Sequence, residues 1–295
     1  MSEFEGMQTE AINEGTRDLD RLETPDLVRL LANDHAIAVE SVENAAPQIA
    51  ALADRIAGQL RAGGRLHYVG SGTSGRLAYL DAAECPPTFG TPRELVCAHI
   101  AGGPPALTRA VEGAEDDGEA GANEMRDHVG EHDVVIGLSA SGGPAYVVAA
   151  LLTARGASAW TVAVVNNERS ALARVADEAI VLDTGPEALT GSTRLKAGSA
   201  QKIFLNTLST SVMTRLGKVY DNLMVDVVAG NKKLRARALH LVQALTGLDE
   251  AAAATLLASA GGSVKVAVVM QRRALDAEAA RDLLERNAGS LRASL

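Results

Sequence analysis

The spacing of hydrophobic and polar residues changes near residue 65 of this chain. Through residues 24–60, apolar side chains recur at steps of three and four, and Pro47 stands where a new helix would begin after Asn44. Such spacing places the apolar side chains on one face of a helix. The first 60 residues are therefore predicted to be largely helical.

Five short apolar runs follow, and their composition is that of buried strands. They are rich in β-branched residues, and each is followed by a turn containing Gly, Ser or Asn and then by a helical pattern. Strands that alternate with helices predict an α/β fold with a doubly wound, five-stranded parallel sheet. The runs are Arg65–Val69, Glu94–Ile100, Asp133–Ser139, Trp160–Val165 and Glu178–Asp183.

Helical spacing returns from about residue 198 and continues to the end of the chain. Residues 244–295 have the pattern of a small bundle of about three short helices. We therefore expect a first domain over residues 1–230, with a helical extension at its N-terminus. A helical domain is expected over residues 231–295.

Composition and charge narrow the classes of partner. Hydrophobic residues make up 47% of the chain and aromatic residues only 3%, so the core must be mostly aliphatic, which suits helices packed on a parallel sheet. The formal charge of −9, without a basic cluster, argues against a nucleic-acid partner. No apolar run approaches the roughly 18 residues of a membrane span, and the start MSEFEGMQTE is unlike a signal peptide. We expect a cytoplasmic protein.

Cysteine and histidine spacing predicts no metal site. Cys85 and Cys97 are too far apart for a C-x-x-C pair, and none of the six histidines forms a ligand motif. His128 and His132 are four residues apart, but a glycine lies between them, and the segment is interpreted as a solvated turn. No cofactor is expected.

A glycine-rich turn follows the first predicted strand. Residues 69–76, VGSGTSGR, fit G-x-G-x-x-G, the pattern that places a dinucleotide pyrophosphate at a helix N-terminus. The turn also carries the hydroxyl side chains of Ser71, Thr73 and Ser74. These hydroxyls suit the free oxygens of a terminal phosphate better than a pyrophosphate that approaches bare backbone.

Two further hydroxyl-rich turns, residues 138–143 and 190–194, follow the third and fifth predicted strands. Loops at the carboxyl ends of parallel strands meet in one crevice. Hydroxyls and helix N-terminal amides in that crevice would bind one phosphomonoester. The alternative is that these are ordinary turn residues without a binding role.

The hydroxyl-rich turns resemble those of the sugar isomerase (SIS) domain, an α/β module that binds sugar phosphates. Residues 185–202, GPEALTGSTRLKAGSAQK, resemble the signature shared by bacterial N-acetylmuramic acid 6-phosphate etherases and the animal glucokinase regulatory protein. Residues 9–28, 70–90, 110–117 and 217–227 are also similar to the etherase family, so the resemblance covers nearly the whole chain. It implies that the first domain is an SIS domain.

The resemblance implies a set of substrate-binding residues in the three turns. After Ser141 and Gly142 the family usually has Arg-Thr-Pro, whereas residues 143–145 are Gly-Pro-Ala, so a threonine that would often contact phosphate is absent. The residues expected to bind the substrate and its phosphate are Ser71, Thr73, Ser74, Ser139, Ser141, Ser192, Thr193 and Lys196.

The resemblance also implies a reaction, used in amino-sugar catabolism and cell-wall recycling. Etherases of this family remove the D-lactyl ether from C3 of an amino sugar phosphate by elimination and water addition. The products are N-acetylglucosamine 6-phosphate and D-lactate. The chemistry needs a base for the C2 proton and an acid for the departing oxygen, which two carboxyl groups of different pKa can supply without a metal.

The family's catalytic glutamates map onto Glu84 and Glu115. We expect Pro86 and Pro87 to end the helix that carries Glu84. Burial beside residues 85–89 would raise the pKa of Glu84 and make it the proton donor. Glu115 would then be the base.

The residues alone leave alternatives open. Glu115 stands in an acidic run, residues 112–117, and without the family nothing selects it over its acidic neighbours Glu112, Asp116 and Asp117. His99 is another candidate base, although a lone histidine at a strand end is more often structural. Cys85 adjoins Glu84 but lacks a basic partner in sequence, and it is interpreted as a packing residue.

Two other functions are weighed against the lyase. A non-catalytic regulator like the glucokinase regulatory protein would be about twice this length, with two such domains. An aldose–ketose phosphate isomerase would share the phosphate loops but is not expected to carry residues 185–202. We also expect a homodimer, because a long helix over residues 199–216 has few charges and more apolar area than one sheet face would cover.

Overall fold

The computed structural model describes residues 7–295. Short 3₁₀ turns precede the first α-helix, and Pro47 lies at the start of the third, as its position predicts. The helices are α1 Thr24–Asp34, α2 Ala36–Asn44, α3 Ala46–Arg61, α4 Gly72–Phe89, α5 Gly118–His128, α6 Ala145–Gly156, α7 Ala171–Val175, α8 Lys196–Arg215, α9 Lys232–Thr246, α10 Glu250–Ser259, α11 Val264–Arg273, α12 Ala277–Arg286 and α13 Leu291–Ser294. The strands are β1 Leu66–Gly70, β2 Val96–Ile100, β3 Val134–Ser139, β4 Trp160–Val165 and β5 Glu178–Val181.

The five strands form one parallel sheet in the order β2-β1-β3-β4-β5. Four strands lie within the predicted apolar runs and β1 extends one residue beyond its run, to Gly70; every residue of β1, β3 and β4 is buried. Continuous apolar runs are typical of parallel strands covered on both faces. The predicted α/β fold is confirmed.

The strand order reverses at β1, which pairs with β2 on one side and with β3 on the other. At such a point the following helices leave on different sides of the sheet, and a crevice opens beyond the strand ends. Gly70 is the last residue of β1 and Ser139 is the last residue of β3. The first two hydroxyl-rich turns therefore both begin at this crevice.

Helices α5 and α6 pack closely together over one face of the sheet. Met125 of α5 and Val147 of α6 share a buried core with Val135 of β3. The helices can approach because residue 121 is a glycine. A Cβ atom built on Gly121 would lie 2.1 Å from the carbonyl oxygen of Tyr146, which leaves no room for a side chain.

The described chain divides into two compact units. The first contains residues up to 82 and residues 94–208, and it holds the whole sheet. The second contains residues 83–93 and 209–295, and helices α9 to α12 build its core. The boundary at residue 230 expected from the sequence stays a prediction, which limited proteolysis would test.

The expectation that Pro86 and Pro87 end the helix of Glu84 is wrong. Helix α4 continues through both prolines to Phe89. A proline φ angle is compatible with a helix, and near the helix end each ring removes one hydrogen bond without breaking a long segment. The stop comes at Gly90, which adopts φ +62° and donates its amide to the carbonyl of Pro86 over 3.0 Å.

We predict opposite effects for two helical glycine substitutions. Gly121→Ala should destabilise the chain by about 1–3 kcal/mol, because its Cβ collides with backbone rather than with a flexible side chain. Gly58→Ala in α3, where nothing lies within 4 Å of the added atom, should stabilise it by about 0.4–1 kcal/mol. Urea unfolding measures both, and equal stabilities would contradict the α5–α6 packing.

Candidate active site

The turn between β1 and α4 is built on glycines that touch. A Cβ atom on Gly70 would lie 2.6 Å from the amide nitrogen of Gly75, and one on Gly75 would lie 2.5 Å from Cγ1 of Ile100. Strand, turn and helix therefore meet without room for side chains at either position. Gly75 donates its amide to the Ser71 carbonyl over 3.1 Å, which closes the first helical turn.

The amides that this turn presents are suited to an anion. Amides in the first turn of a helix have no carbonyl partner four residues earlier, and the helix dipole favours negative charge there. Ser71 and Ser74 are both buried. Within residues 7–295 the Ser74 hydroxyl makes no hydrogen bond, whereas Ser71 Oγ donates to Oε2 of Glu115 over 3.5 Å. The structure thus brings one predicted phosphate residue and one predicted catalytic residue together.

The second turn uses its serine hydroxyls to shape its own backbone. Ser139 Oγ accepts the amide of Gly142 over 2.9 Å, and Ser141 Oγ accepts the amide of Gly143 over 3.3 Å. Each hydroxyl still has its O–H to donate to a ligand. Gly142 needs its φ of +69°, and a Cβ atom there would lie 2.3 Å from Cβ of Ser170.

The third turn approaches the first. Ser192 and Thr193 are half-buried, and the Thr193 carbonyl accepts the amide of Gly198 over 2.9 Å. A Cβ atom built on Gly198 would lie 3.4 Å from Cγ2 of Thr73. Two of the three hydroxyl-rich turns therefore converge at the start of α8.

Lys196, which the sequence places among the substrate-binding residues, is buried. Its side chain is 2% exposed, and its Nζ atom lies 2.8 Å from Oδ1 of Asp34 at the end of α1. An ion pair removed from water in this way holds its two partners together. In the described chain the lysine joins α8 to an N-terminal helix, a contact that the sequence does not indicate.

Glu187 is a residue of this region that sequence reasoning missed. Its fully buried carboxylate accepts the backbone amides of Lys196 over 3.0 Å and Ala197 over 2.9 Å. Burial raises the pKa of Glu187, and the two amides oppose that shift. The carboxylate already neutralises the N-terminus of α8, so this helix end is not free to bind phosphate.

The acidic residues around Glu115 make different contacts in the structure. Glu115 lies on an exposed 3₁₀ turn, Ala114–Asp116, which faces the first hydroxyl-rich turn through Ser71. Asp117 caps α5 by accepting the amide of Ala120 over 2.9 Å. Geometry therefore favours Glu115 over Asp117 as a reactive group.

Glu84 lies on α4, within the second compact unit, and it is exposed. Its expected burial beside residues 85–89 is wrong for the described chain. Successive helical residues point about 100° apart, so the inward-facing Cys85 and Phe89 leave Glu84 on the outer side. Cys85 is 2% exposed, as its interpretation as a packing residue requires.

His99 does not face the hydroxyl-rich turns with a free nitrogen. Its Nδ1 atom lies 2.7 Å from Oε1 of Glu124 in α5, and its Nε2 atom lies 3.0 Å from Nδ1 of His67 in β1. Burial lowers the pKa of His67 to about 4, so this ring is neutral near pH 7. Both nitrogens of His99 are engaged, which disfavours His99 as the alternative base.

The sequence of this chain is similar to two family models and to named bacterial enzymes. The sequence model of the SIS domain matches residues 111–211, and that of the glucokinase regulatory protein N-terminal SIS domain matches residues 48–155. The chain is 49% identical over 288 residues, 97% of each chain, to an N-acetylmuramic acid 6-phosphate etherase of Salmonella typhi. It is 52% identical over 267 residues, 90% of this chain and 89% of the other, to an etherase of the same name from Symbiobacterium thermophilum.

A solved structure has the same fold. A candidate phosphosugar isomerase of Bacteroides fragilis, described as involved in capsule formation, superimposes with a TM-score of 0.50. The match covers 68% of this chain and 95% of that one at 18% sequence identity. At this identity the likeness concerns the fold alone.

Proposed function

The chain belongs to the N-acetylmuramic acid 6-phosphate etherase family, and from that premise we propose how its residues bind and cleave the substrate. The enzyme is a carbon–oxygen lyase that releases D-lactate from an amino sugar phosphate. Identity of 49% over 97% of both chains is the observation that carries this function. The residue roles that follow are our proposals.

We propose that the first hydroxyl-rich turn holds the phosphate. The amides at the start of α4 and the unpaired hydroxyl of Ser74 point to this role, whereas Glu187 occupies the corresponding amides of α8. Ser139, Ser141, Ser192 and Thr193 complete the polar surroundings. The phosphate then anchors one end of an extended, ring-opened sugar.

Ring opening determines the chemistry at the other end. An aldehyde at C1 acidifies the C2 proton, so a carboxylate can remove it. We assign this step to Glu115, whose carboxylate is oriented by the Ser71 hydroxyl. Glu84 then protonates the ether oxygen as lactate leaves, which gives an unsaturated aldehyde. Once ionised, Glu84 activates the water that adds at C3.

A homodimer also remains our proposal, but on different grounds from those of the sequence. Helix α8 already buries Phe204, Leu205 and Leu208 within the single chain, so these apolar side chains are not available to a second copy. On α4, Leu80 is 46% exposed and shares a face with Ala83 and Pro87 around Glu84. An exposed apolar stripe of this kind is typical of an interface.

We infer a cytoplasmic location from the substrate. A phosphorylated sugar carries charge and does not cross a bilayer unaided. No helix within residues 7–295 is by itself long and apolar enough to span a membrane, and α9 and α10 pass that test only as a pair bent by 106°.

The regulator is the second candidate function, because the glucokinase regulatory protein SIS model matches residues 48–155. That match is to one such domain, and the etherases match over nearly the full chain. Incubation with N-acetylmuramic acid 6-phosphate separates the two candidates, since only the lyase releases D-lactate.

Ser74→Ala should raise KM much more than it lowers kcat. Loss of a hydrogen bond to a charged group weakens binding by about 1.5–3 kcal/mol, or roughly 10- to 150-fold. The phosphate is held equally in the ground and transition states, so the loss appears in KM. Ser259→Ala, on the exposed end of α10, is the matched control. An unchanged KM for the Ser74 variant would exclude the turn as the phosphate site.

Heavy-isotope solvent tests the order of events. We expect deuterium at C2 and solvent oxygen at C3 of the sugar product, with no solvent oxygen in the lactate hydroxyl. Glu115→Gln should stop exchange of the C2 hydrogen, and Glu84→Gln should abolish lactate release. The exposed Glu112→Gln and Glu94→Gln are controls that should leave both reactions intact. Solvent oxygen in lactate, or normal exchange in the Glu115 variant, would contradict the assignment.

Light scattering tests the dimer. At micromolar concentration the mass should be near twice the chain mass of 30.6 kDa. Leu80→Glu should shift the protein toward monomer, because it places charge on the α4 stripe. Leu152→Glu, at a residue of α6 that is 50% exposed, should not. A monomeric unchanged chain, or equal effects of both substitutions, would refute the proposed interface.

A further inference from the structure

A chain of side chains joins β1, β2 and α5. We call it the histidine cluster, and its members are Asp133, His67, His99, Glu124 and His128. From one end to the other, Asp133 Oδ2 lies 3.3 Å from His67 Nε2, His67 Nδ1 lies 3.0 Å from His99 Nε2, and His99 Nδ1 lies 2.7 Å from Glu124 Oε1. Two imidazole rings are thus held in series between two carboxylates.

This arrangement is one proton short. Each of the three contacts needs one N–H proton between its two acceptor atoms, but two neutral imidazole rings carry only two such protons. In one of the three contacts, no proton lies between the two atoms, and their lone pairs face each other. In the described chain the unpaired atom is His67 Nε2, which is buried and makes no hydrogen bond although Asp133 lies beside it. At the Asp133 end a positive charge is already present, because Nη2 of Arg65 lies 2.9 Å from Oδ2 of Asp133. A cation bound at the Glu124 end would complete the series.

A third ligand group stands at the Glu124 end. His128 Nδ1 lies 3.8 Å from Oε1 of Glu124, and its ring centre lies 5.4 Å from that of His99. One ligand atom from each of His99, Glu124 and His128 lies within 4.8 Å of the others. Tetrahedral zinc with bonds of about 2.0–2.1 Å needs ligand atoms about 3.3 Å apart. The exposed His128 side chain, at the last residue of α5, closes that difference by turning, which releases the 2.7 Å contact of its Nδ1 atom with the backbone carbonyl of Glu124.

We propose that His99, Glu124 and His128 bind a divalent transition-metal ion of the zinc class, with water as the fourth ligand. Two imidazoles and one carboxylate are ligands that zinc accepts, and three protein ligands leave one position open. His99 is buried, whereas the Glu124 and His128 side chains are 39% and 49% exposed, so an ion can reach the site from solvent.

The bound ion accounts for the proton deficit. With the metal on Nδ1 of His99, the ring proton moves to Nε2 and donates to Nδ1 of His67. The proton of His67 is then on Nε2 and points at Asp133, so the orphaned atom acquires a partner. A metal-bound histidine that donates its other N–H to a fixed acceptor is the usual outer arrangement of protein metal sites.

Linear spacing does not indicate this site, because its members come from different elements. In the sequence His132 follows His128 by four residues, yet the fold brings His128 close to Glu124 and His99 instead. None of the three ligands belongs to the proposed catalytic or phosphate-binding residues. A test of metal binding at this site is therefore independent of the lyase assignment.

Metal titration of the full chain tests the proposal. The protein is first stripped with a chelator, and Zn²⁺ is then added in competition with a chromogenic chelator. We expect one high-affinity equivalent per chain, a higher melting temperature, and a visible absorption band when Co²⁺ replaces Zn²⁺. His128→Ala should weaken binding by at least about tenfold, the loss seen even for outer partners of metal ligands. Glu124→Gln should do the same.

The matched control is His132→Ala, an exposed histidine four residues from His128 and outside the cluster. It should bind Zn²⁺ as tightly as the unchanged chain. Because both histidines are exposed, neither variant should disturb the fold, which circular dichroism verifies. The absence of a one-equivalent site, equal affinity in His128→Ala, or an equal loss in both histidine variants would each overturn the proposal.

Discussion

The contact between the end of β1 and the first turn of α4 is the constraint on which the candidate site depends. Gly70 and Gly75 touch with no space for a Cβ atom between them, and Ile100 closes the other side. A side chain at either glycine would push the helix away from the sheet. The amides and hydroxyls of the turn would then no longer meet the crevice at the strand reversal. Backbone proximity, rather than any single polar residue, thus creates the geometry that we propose binds the phosphate.

The start of α8 shows why a helix end near a crevice is not automatically an anion site. Its first two amides are taken by the buried carboxylate of Glu187, and Lys196 neutralises Asp34. These contacts hold the third hydroxyl-rich turn in place beside Thr73. The amides at the start of α8 therefore serve the fold, whereas those at the start of α4 are the ones that we propose bind the ligand. In a chain of net charge −9, the proposed binding of an anion depends on this local field at the start of α4.

Sequence patterns predicted what depends on local spacing and missed what depends on contacts between distant residues. Largely apolar runs identified all five strands, because strands covered on both faces carry few polar residues. The prolines of α4 gave a wrong prediction of the helix end. A proline near a helix end removes few hydrogen bonds, and α4 ends only at Gly90. The capping role of Glu187 could not be foreseen, because it joins residues nine and ten positions apart. The histidine cluster likewise exists only after β1, β2 and α5 are packed.

The two proposed catalytic glutamates receive unequal support from the single chain. Glu115 has a hydroxyl partner in the turn that we assign to phosphate, so its carboxylate is held near the anchored substrate. Glu84 is exposed and has an apolar stripe around it. A closed site excludes the water that competes for the acid's proton, and an open helix surface does not exclude it. If Glu84 is the acid, something must cover the stripe when the reaction occurs. Substrate, a second copy of the chain, or both would do so, which makes proton donation a property of the assembled enzyme rather than of the folded chain alone.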